Sequence, residues 1–104
     1  MQRVAFKMRL HKGCEAEYQR RHDAIWPGLA DLLKQNGIRE YSIFLDETTN
    51  DLFGYLTMAD PARLDNLPAE AIMQKWWEHM KDIMDTNPDN SPVTSRLKEV
   101  FYLP

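Results

Sequence analysis

The chain has 104 residues, a length that suits a single compact domain spanning residues 1–104. Its net charge of −3 argues against a nucleic-acid partner, because such binding depends on Lys and Arg contacts to phosphate. Cys14 is the only cysteine, which excludes an intrachain disulfide and a cysteine-based zinc site. No long apolar run opens the sequence, so we expect neither a signal peptide nor a membrane span, and by default a cytoplasmic location.

The N-terminal part of the chain predicts a strand followed by an interrupted helix. Residues 3–10 alternate between apolar and polar side chains, the period of a strand with one buried face. A helical pattern begins near Cys14, and its inward stripe consists of Tyr18, His22, Ile25, Leu29 and either Leu32 or Leu33. We expect Pro27 to kink this helix or to split it at Trp26, and Asn36-Gly37 to end it.

The C-terminal part predicts two strands, a helix and a last strand. Residues 38–46 and 52–58 have the pattern of strands joined by a polar hairpin loop. Asp60 is expected to cap a short helical turn, and Pro68 to start a longer helix. That helix would carry Ile72 or Met73, Trp76, Trp77, Met80, Ile83 and Met84. A loop rich in turn formers over 87–92 precedes a strand over about 96–103.

The order β-α-β-β-α-β predicts an α+β fold of the ferredoxin-like kind, with helices on one face of an antiparallel four-stranded sheet. The opposite face would carry Phe44, Phe53 and Tyr55, which are too apolar to remain in water. We therefore expect a twofold homodimer in which two such faces pack together. The apolar C-terminal strand is expected to help bridge the two subunits.

His22 is the first candidate for chemistry, with Tyr18 one turn earlier on the same helix face. An imidazole has an ordinary pKa near ~6.5, so it donates or accepts a proton readily at neutral pH. A phenol beside it can donate a hydrogen bond to a substrate hydroxyl. The same spacing also fits a core histidine satisfied by a backbone carbonyl with Tyr18 packed against it, and spacing alone favours that second interpretation.

Trp76 and Trp77 form the second candidate group. Adjacent helical residues point about 100° apart, so we expect one indole in the core and the other at the edge of a cavity. Indoles suit sugars, because C–H groups pack on the ring face and the N–H can donate to a hydroxyl. Two tryptophans that serve only for packing would give the same pattern. Tyr41, in the second strand, is expected to face the helices and to need a polar partner there.

Together these five residues would surround one cavity suited to proton transfer on a neutral polyol. We expect no metal, since His11, His22 and His79 lack the spacing typical of ligands. We also expect no cofactor, and the four isolated glycines form no phosphate-binding loop.

Three segments, EYQRRHDAIWPGL over 17–29, QKWWEHM over 74–80 and NPDNSPVTSRLKEVFYLP over 87–104, resemble the L-rhamnose mutarotase family. The resemblance covers the whole chain. It implies a cytoplasmic isomerase of L-rhamnose catabolism, a dimeric α/β barrel of ferredoxin-like subunits that interconverts the α and β anomers of the sugar without a cofactor. It also implies a general acid, His22, and four substrate-binding residues: Tyr18, Tyr41, Trp76 and Trp77.

The implied reaction delivers a proton to the ring oxygen and removes one from the anomeric hydroxyl. We expect His22 to be the donor, and the residues leave the acceptor open between Tyr18 and a bound water. Two other classes share these features. One comprises cofactorless oxygenases and haem-degrading enzymes of similar fold, and the other is a non-catalytic sugar-binding module. The pairing of Tyr18 with His22 favours catalysis, because binding hydroxyls alone needs no group that titrates near neutrality.

Overall fold

The computed structural model describes all 104 residues. Its regular elements, in chain order, are β1 (Gln2–Arg9), α1 (Glu15–Asp23), α2 (Pro27–Gln35), β2 (Arg39–Leu45), β3 (Asp51–Met58), a 3₁₀ segment (Pro61–Ala69), α3 (Ala71–Met80) and β4 (Ser95–Leu97). The four strands pair antiparallel in the order β2-β3-β1-β4. The predicted α+β class and the β-α-β-β-α-β order are confirmed. None of the helices combines the length and the hydropathy that a bilayer crossing requires.

The sheet has one buried face and one open face. In β3 every second residue is buried, including Leu52, Leu56 and Met58, and these side chains pack beneath the helices. On the opposite face Phe44 keeps 65% of its surface exposed. This alternation is the predicted one, and it confines the core to the space between the sheet and the helices.

The proline in the first helical region splits that region in two, as the sequence predicts. Pro27 is the first residue of α2, where its missing N–H leaves no hydrogen bond unmade. Trp26 before it is extended, at φ −61° and ψ 129°, because a residue that precedes proline avoids the helical region. The expected stop is also present, since Gly37 adopts φ +86° just after the helix.

The region before α3 differs from the expectation. Asp60 does cap a turn, accepting a hydrogen bond from the Ala62 N–H at 3.1 Å. Pro68, however, does not start the long helix, because it lies inside the 3₁₀ segment and Glu70 is extended before α3 begins. The prolines at both ends of this segment cannot donate to a helical ladder, so the chain forms short 3₁₀ turns there.

The last two apolar residues assigned to that helix, Ile83 and Met84, lie beyond its end at Met80. Both remain buried in the core, and Met84 forms an isolated β-bridge with Leu10. The spacing identified core residues correctly and misplaced them in a helix, because burial is decided by the neighbouring strand as well as by the helix period.

The predicted C-terminal strand is also too long. Only Ser95–Leu97 pairs with β1, and the residues from 98 onward form no strand. The tail nevertheless stays beside β1, because the β1–β4 register brings Glu99 opposite Arg3. The Arg3 guanidinium donates to both Glu99 carboxylate oxygens, at 2.7 and 3.0 Å, and lies 3.5 Å from the Tyr102 ring centre. Beyond the short ladder, side-chain contacts therefore hold the tail to β1.

The start of α1 is fixed to the hairpin by a buried amide. Asn50, with φ +63°, is buried at the end of the β2–β3 turn, and its side chain donates to Glu15 Oε1 at 3.0 Å. The Leu10 N–H donates to the Asn50 carbonyl at 2.9 Å, so the same residue also ties the end of β1. These bonds hold α1 in a set orientation above the sheet.

Candidate active site

A large cavity, of about 1130 Å³, lies between the helices and the sheet and is lined mostly by apolar side chains. All five residues singled out from the sequence line it: Tyr18, His22, Tyr41, Trp76 and Trp77. They come from α1, β2 and α3, which are distant along the chain. No group of three or more His, Cys, Asp or Glu side chains forms a candidate metal site.

The His22 ring presents one nitrogen to the protein and the other to open space. Nδ1 lies 3.1 Å from the Tyr18 carbonyl oxygen, which can only accept, so Nδ1 carries the proton in this contact. The neutral ring then has its lone pair on Nε2. No protein group bonds to Nε2, and no buried side-chain polar atom lacks a partner. Nε2 therefore keeps accessible surface, on a residue that lines the cavity. His22 therefore has the backbone-carbonyl bond of a structural histidine, and it also lines the cavity, as a catalytic histidine must.

The electrostatic surroundings favour the neutral imidazole. Burial lowers the pKa of His22 below its ordinary value, and the Tyr18 carbonyl and Asp23 oppose this only in part. At neutral pH Nε2 is therefore predominantly unprotonated, which makes it a proton acceptor. The protonated ring, once formed, is a stronger acid than an ordinary histidine.

Aromatic rings hold the imidazole from two sides. The Tyr18 ring stacks on it with centres 4.3 Å apart, and the Trp76 ring meets it edge-on at 5.4 Å. Trp26 packs perpendicular to Trp76 at 5.0 Å, behind that contact. The position of the His22 ring therefore depends on α1, on α3 and on the extended residue before Pro27.

The two tryptophans are buried unequally, as their positions in a helix predict. Trp76 is only 6% exposed and belongs to the core, while Trp77 is partly buried at the cavity wall. Only Trp76 touches His22.

The two phenols of this site, Tyr18 and Tyr41, stay protonated at neutral pH. Burial raises the pKa of Tyr18, with a further contribution from Tyr41, and burial raises the pKa of Tyr41 to about 12. Tyr41 keeps 39% of its surface exposed, but it lines the cavity, so part of that surface faces the cavity. The raised pKa values argue against Tyr18 as the proton acceptor, because phenolate forms only at high pH.

Tyr41 reaches the cavity through an irregular stretch of β2. The pairing of β2 with β3 shifts between Arg39 and Ser42, and Glu40 between them has φ +50°. The Tyr41 ring then meets Phe6 of β1 edge-on, with centres 6.1 Å apart. Tyr41 lines the same cavity as Ile43 and Leu45, as the strand pattern predicts.

Several cavity residues were missed by the sequence analysis. Phe6 forms part of the floor, and it lies across Gly54 of β3, where a Cβ would overlap its ring. A glycine inside a strand pattern was the available signal for this close approach. Trp26 is not part of the lining, but it packs against Trp76 behind the site, and only the proline after it drew attention to this position. Nothing in the sequence pattern indicated that Arg96, which pairs with Phe6 from β4, would line the cavity.

An antiparallel four-stranded sheet with helices over one face, and a cavity between the layers, defines a small ferredoxin-like α+β protein. A solved polyketide cyclase, tetracenomycin F2 cyclase from Streptomyces glaucescens, shares this fold with a TM-score of 0.64 over 100% of both chains, at 14% identity. The chain itself belongs to the L-rhamnose mutarotase family, whose model matches residues 3–103.

Two family members are similar over their full length. The L-rhamnose mutarotase of Rhizobium leguminosarum bv. trifolii is 55% identical over 104 residues, covering 100% of this chain and 98% of the relative. The crystal structure of the L-rhamnose mutarotase from Formosa agariphila has a TM-score of 0.93 at 50% identity, covering 100% of both chains.

Proposed function

We propose that this chain is an isomerase that interconverts the α and β anomers of L-rhamnose, with His22 as its catalytic residue. Membership of the family supports the substrate and the reaction. The observation that carries the chemistry is the accessible Nε2 of His22, the only histidine that lines this largely apolar cavity.

One imidazole nitrogen suffices for both proton transfers. The anomeric oxygen O1 and the ring oxygen O5 are bonded to the same carbon, C1, so one atom can reach both. Neutral Nε2 takes the O1 proton, the O1–C1 bond becomes a carbonyl, and the C1–O5 bond breaks. The O5 alkoxide then takes the proton from Nε2, which is the general-acid step assigned to His22. After rotation about C1–C2 the same steps run backwards on the other carbonyl face.

The remaining cavity residues bind and orient the sugar in this proposal. Tyr18 and Tyr41 stay protonated, so they donate hydrogen bonds to hydroxyls or to the oxygen that gains charge. Trp76 and Trp77 offer indole surface against the C–H face of the ring. No carbon–hydrogen bond breaks in this reaction, so protein groups can supply all of its chemistry.

Saturation-transfer NMR on the anomeric protons of L-rhamnose tests the function. We expect the exchange rate between anomers to rise in proportion to enzyme concentration, because a positioned acid–base group contributes about 10²–10⁴-fold. A protein that binds the sugar but leaves the exchange rate at its spontaneous value would be a binding module, and the proposal would be wrong.

The pH dependence follows from the lowered pKa of His22. Because neutral Nε2 starts the cycle, kcat/KM should rise with pH through the pKa of the free enzyme and level off above it. The midpoint should lie below about 6.5, the ordinary histidine value, and the plateau should extend past pH 9 because the pKa of Tyr41 is about 12. The measurement is saturation transfer between pH 4.5 and 9.5, corrected for spontaneous exchange. A fall in kcat/KM as the pH rises from 6 to 8 would instead mean that the protonated imidazolium starts the reaction.

The proposal includes the whole chain as one mutarotase domain, a cytoplasmic location and a homodimer that closes into an α/β barrel. The dimer is supported by the open face of the sheet. Ile43 and Leu45 line the cavity, so Phe44 between them lies on the opposite face, beside its β3 partner Phe53. The exposed apolar side chains of the tail add to this surface: Val100, Phe101 and Leu103. A second copy of the chain would cover both the open face of the sheet and these tail side chains.

Replacing Phe44 with glutamate tests the dimer. The twofold axis brings two new carboxylates into one interface, so we expect the dissociation constant to rise about tenfold or more. Light scattering coupled to size-exclusion chromatography measures the mass over a range of concentrations. Gln35→Glu, which adds the same charge on α2, is the matched control and should leave the mass unchanged. Equal behaviour of the two variants would exclude this face as the interface.

A further inference from the structure

We infer that Arg21 is a positioning residue, whose guanidinium holds α1 against the end of α3 and so sets the contact between His22 and Trp76. The inference rests on the proposed function for its catalytic consequence. Its structural part concerns only the geometry of two rings and can be measured without substrate.

The guanidinium of Arg21 binds three groups: one in α1, one in α3 and one just after α3. Its Nε donates to Glu17 Oε2 at 2.7 Å within α1. One terminal nitrogen donates to the His79 carbonyl at 2.7 Å and to Asp82 Oδ1 at 2.9 Å, and the other donates to Asp82 Oδ2 at 3.2 Å. The side chain is only 11% exposed, and its hydrogen bonds, together with its charge, lower the pKa of the Asp82 carboxyl.

These bonds join the two segments that carry the rings in contact. Arg21 directly precedes His22, and the His79 carbonyl lies one turn after Trp76 in the last turn of α3. Carbonyls in a last helical turn have no intrahelical donor, so a cation is favourable there. All hydrogen bonds between α1 and the α3–Asp82 segment come from Arg21.

We call the hydrogen bonds of Arg21 to Glu17, His79 and Asp82 the clamp, and their geometry requires an arginine. A planar guanidinium binds the Asp82 carboxylate with its two terminal nitrogens and still donates to Glu17 from Nε. A lysine ammonium is a point charge and lacks this planar arrangement of donors. Glu17 is also bound by Arg20, and the two arginines together lower its pKa to about 2. Arg20 forms no hydrogen bond or ion pair with α3 and is 69% exposed. It is therefore a matched control that shares the carboxylate and lacks the clamp.

The test compares Arg21→Met, Arg21→Lys and Arg20→Met at a temperature where each is folded by circular dichroism. We expect Arg21→Met to lower kcat about 10- to 100-fold, since a displacement of about 1 Å can cost about 10²-fold. Arg21→Lys should recover part of this loss, and Arg20→Met should stay within about twofold of the parent. Long-range ¹H–¹⁵N NMR of the His22 ring should change in Arg21→Met and stay unchanged in Arg20→Met.

Asp82→Ala removes the two hydrogen bonds from Arg21 to the exposed carboxylate just after α3 and leaves the bond to the His79 carbonyl, and it covers the case in which Arg21→Met does not fold. It should alter the same His22 ring signals and lower kcat about tenfold. A folded Arg21→Met or Asp82→Ala with unchanged His22 signals and kcat within about twofold of the parent would overturn the inference. If the parent itself does not accelerate anomer exchange, the proposed function fails, while the ring signals still report on the clamp.

Discussion

Replacing His22 with asparagine should lower the enzymatic rate of anomer exchange about 10²- to 10⁴-fold at neutral pH. Asparagine keeps a polar amide in the space of the ring and an N–H that can donate to the Tyr18 carbonyl, which now accepts from Nδ1. It has no group that takes up and releases a proton near neutrality. The substitution therefore removes the chemistry while retaining most of the local contacts, and saturation-transfer NMR measures the result.

His11→Asn is the matched control for this substitution. His11 is exposed and contacts Asp85 through Nε2 at 3.1 Å, outside the cavity. We expect His11→Asn to exchange anomers at the parent rate. A folded His22→Asn with full activity would remove His22 from the mechanism, and equal losses in both variants would point to a general effect on folding.

Replacing Trp76 with alanine should have the largest effect on stability among the site variants. The indole is 6% exposed, and it contacts His22, Trp26 and His79. Loss of a buried tryptophan costs about 3–5 kcal/mol of the free energy of unfolding, because a cavity remains in the core. Urea denaturation followed by circular dichroism measures this change. The enzymatic rate should fall as well, since one side of the His22 ring loses its support.

Trp77→Ala provides the comparison, because Trp77 neighbours Trp76 in α3 but is only partly buried and does not touch His22. We expect a smaller loss of stability and an effect mainly on KM. Trp76→Phe retains an aromatic ring if Trp76→Ala does not fold, and it should retain most of the stability. Equal losses of stability at the two positions would contradict the assignment of Trp76 to the core.

The order of elements was predictable where local rules decide it. The alternation over 3–10 identified β1, and Pro27 split the first helical region as its missing N–H requires. The end of the chain was not predictable in the same way. Beyond Leu97 the tail forms no strand and is held to β1 by the Arg3–Glu99 pair, whose members are separated by 96 positions. No window of neighbouring residues contains that contact.

The candidate site was likewise predictable where neighbouring residues decide it and unpredictable where distant contacts do. Tyr18 and His22 were paired because residues four apart in a helix share a face, and their rings stack. The sequence could not reveal which ring nitrogen reaches the cavity, since that depends on a hydrogen bond to the Tyr18 carbonyl. Arg21 was missed as a positioning residue because its partners lie about 60 residues further along the chain, at positions 79 and 82.

A crystal structure of the protein with L-rhamnose bound would examine proton transfer by a single imidazole nitrogen most directly. We expect O1 and O5 of the sugar within about 3.2 Å of His22 Nε2, directly or through one water, with Nδ1 still donating to the Tyr18 carbonyl. A sugar whose C1 lies farther from Nε2 than one bridging water, or a His22 ring turned so that Nδ1 faces the sugar, would rule this mechanism out.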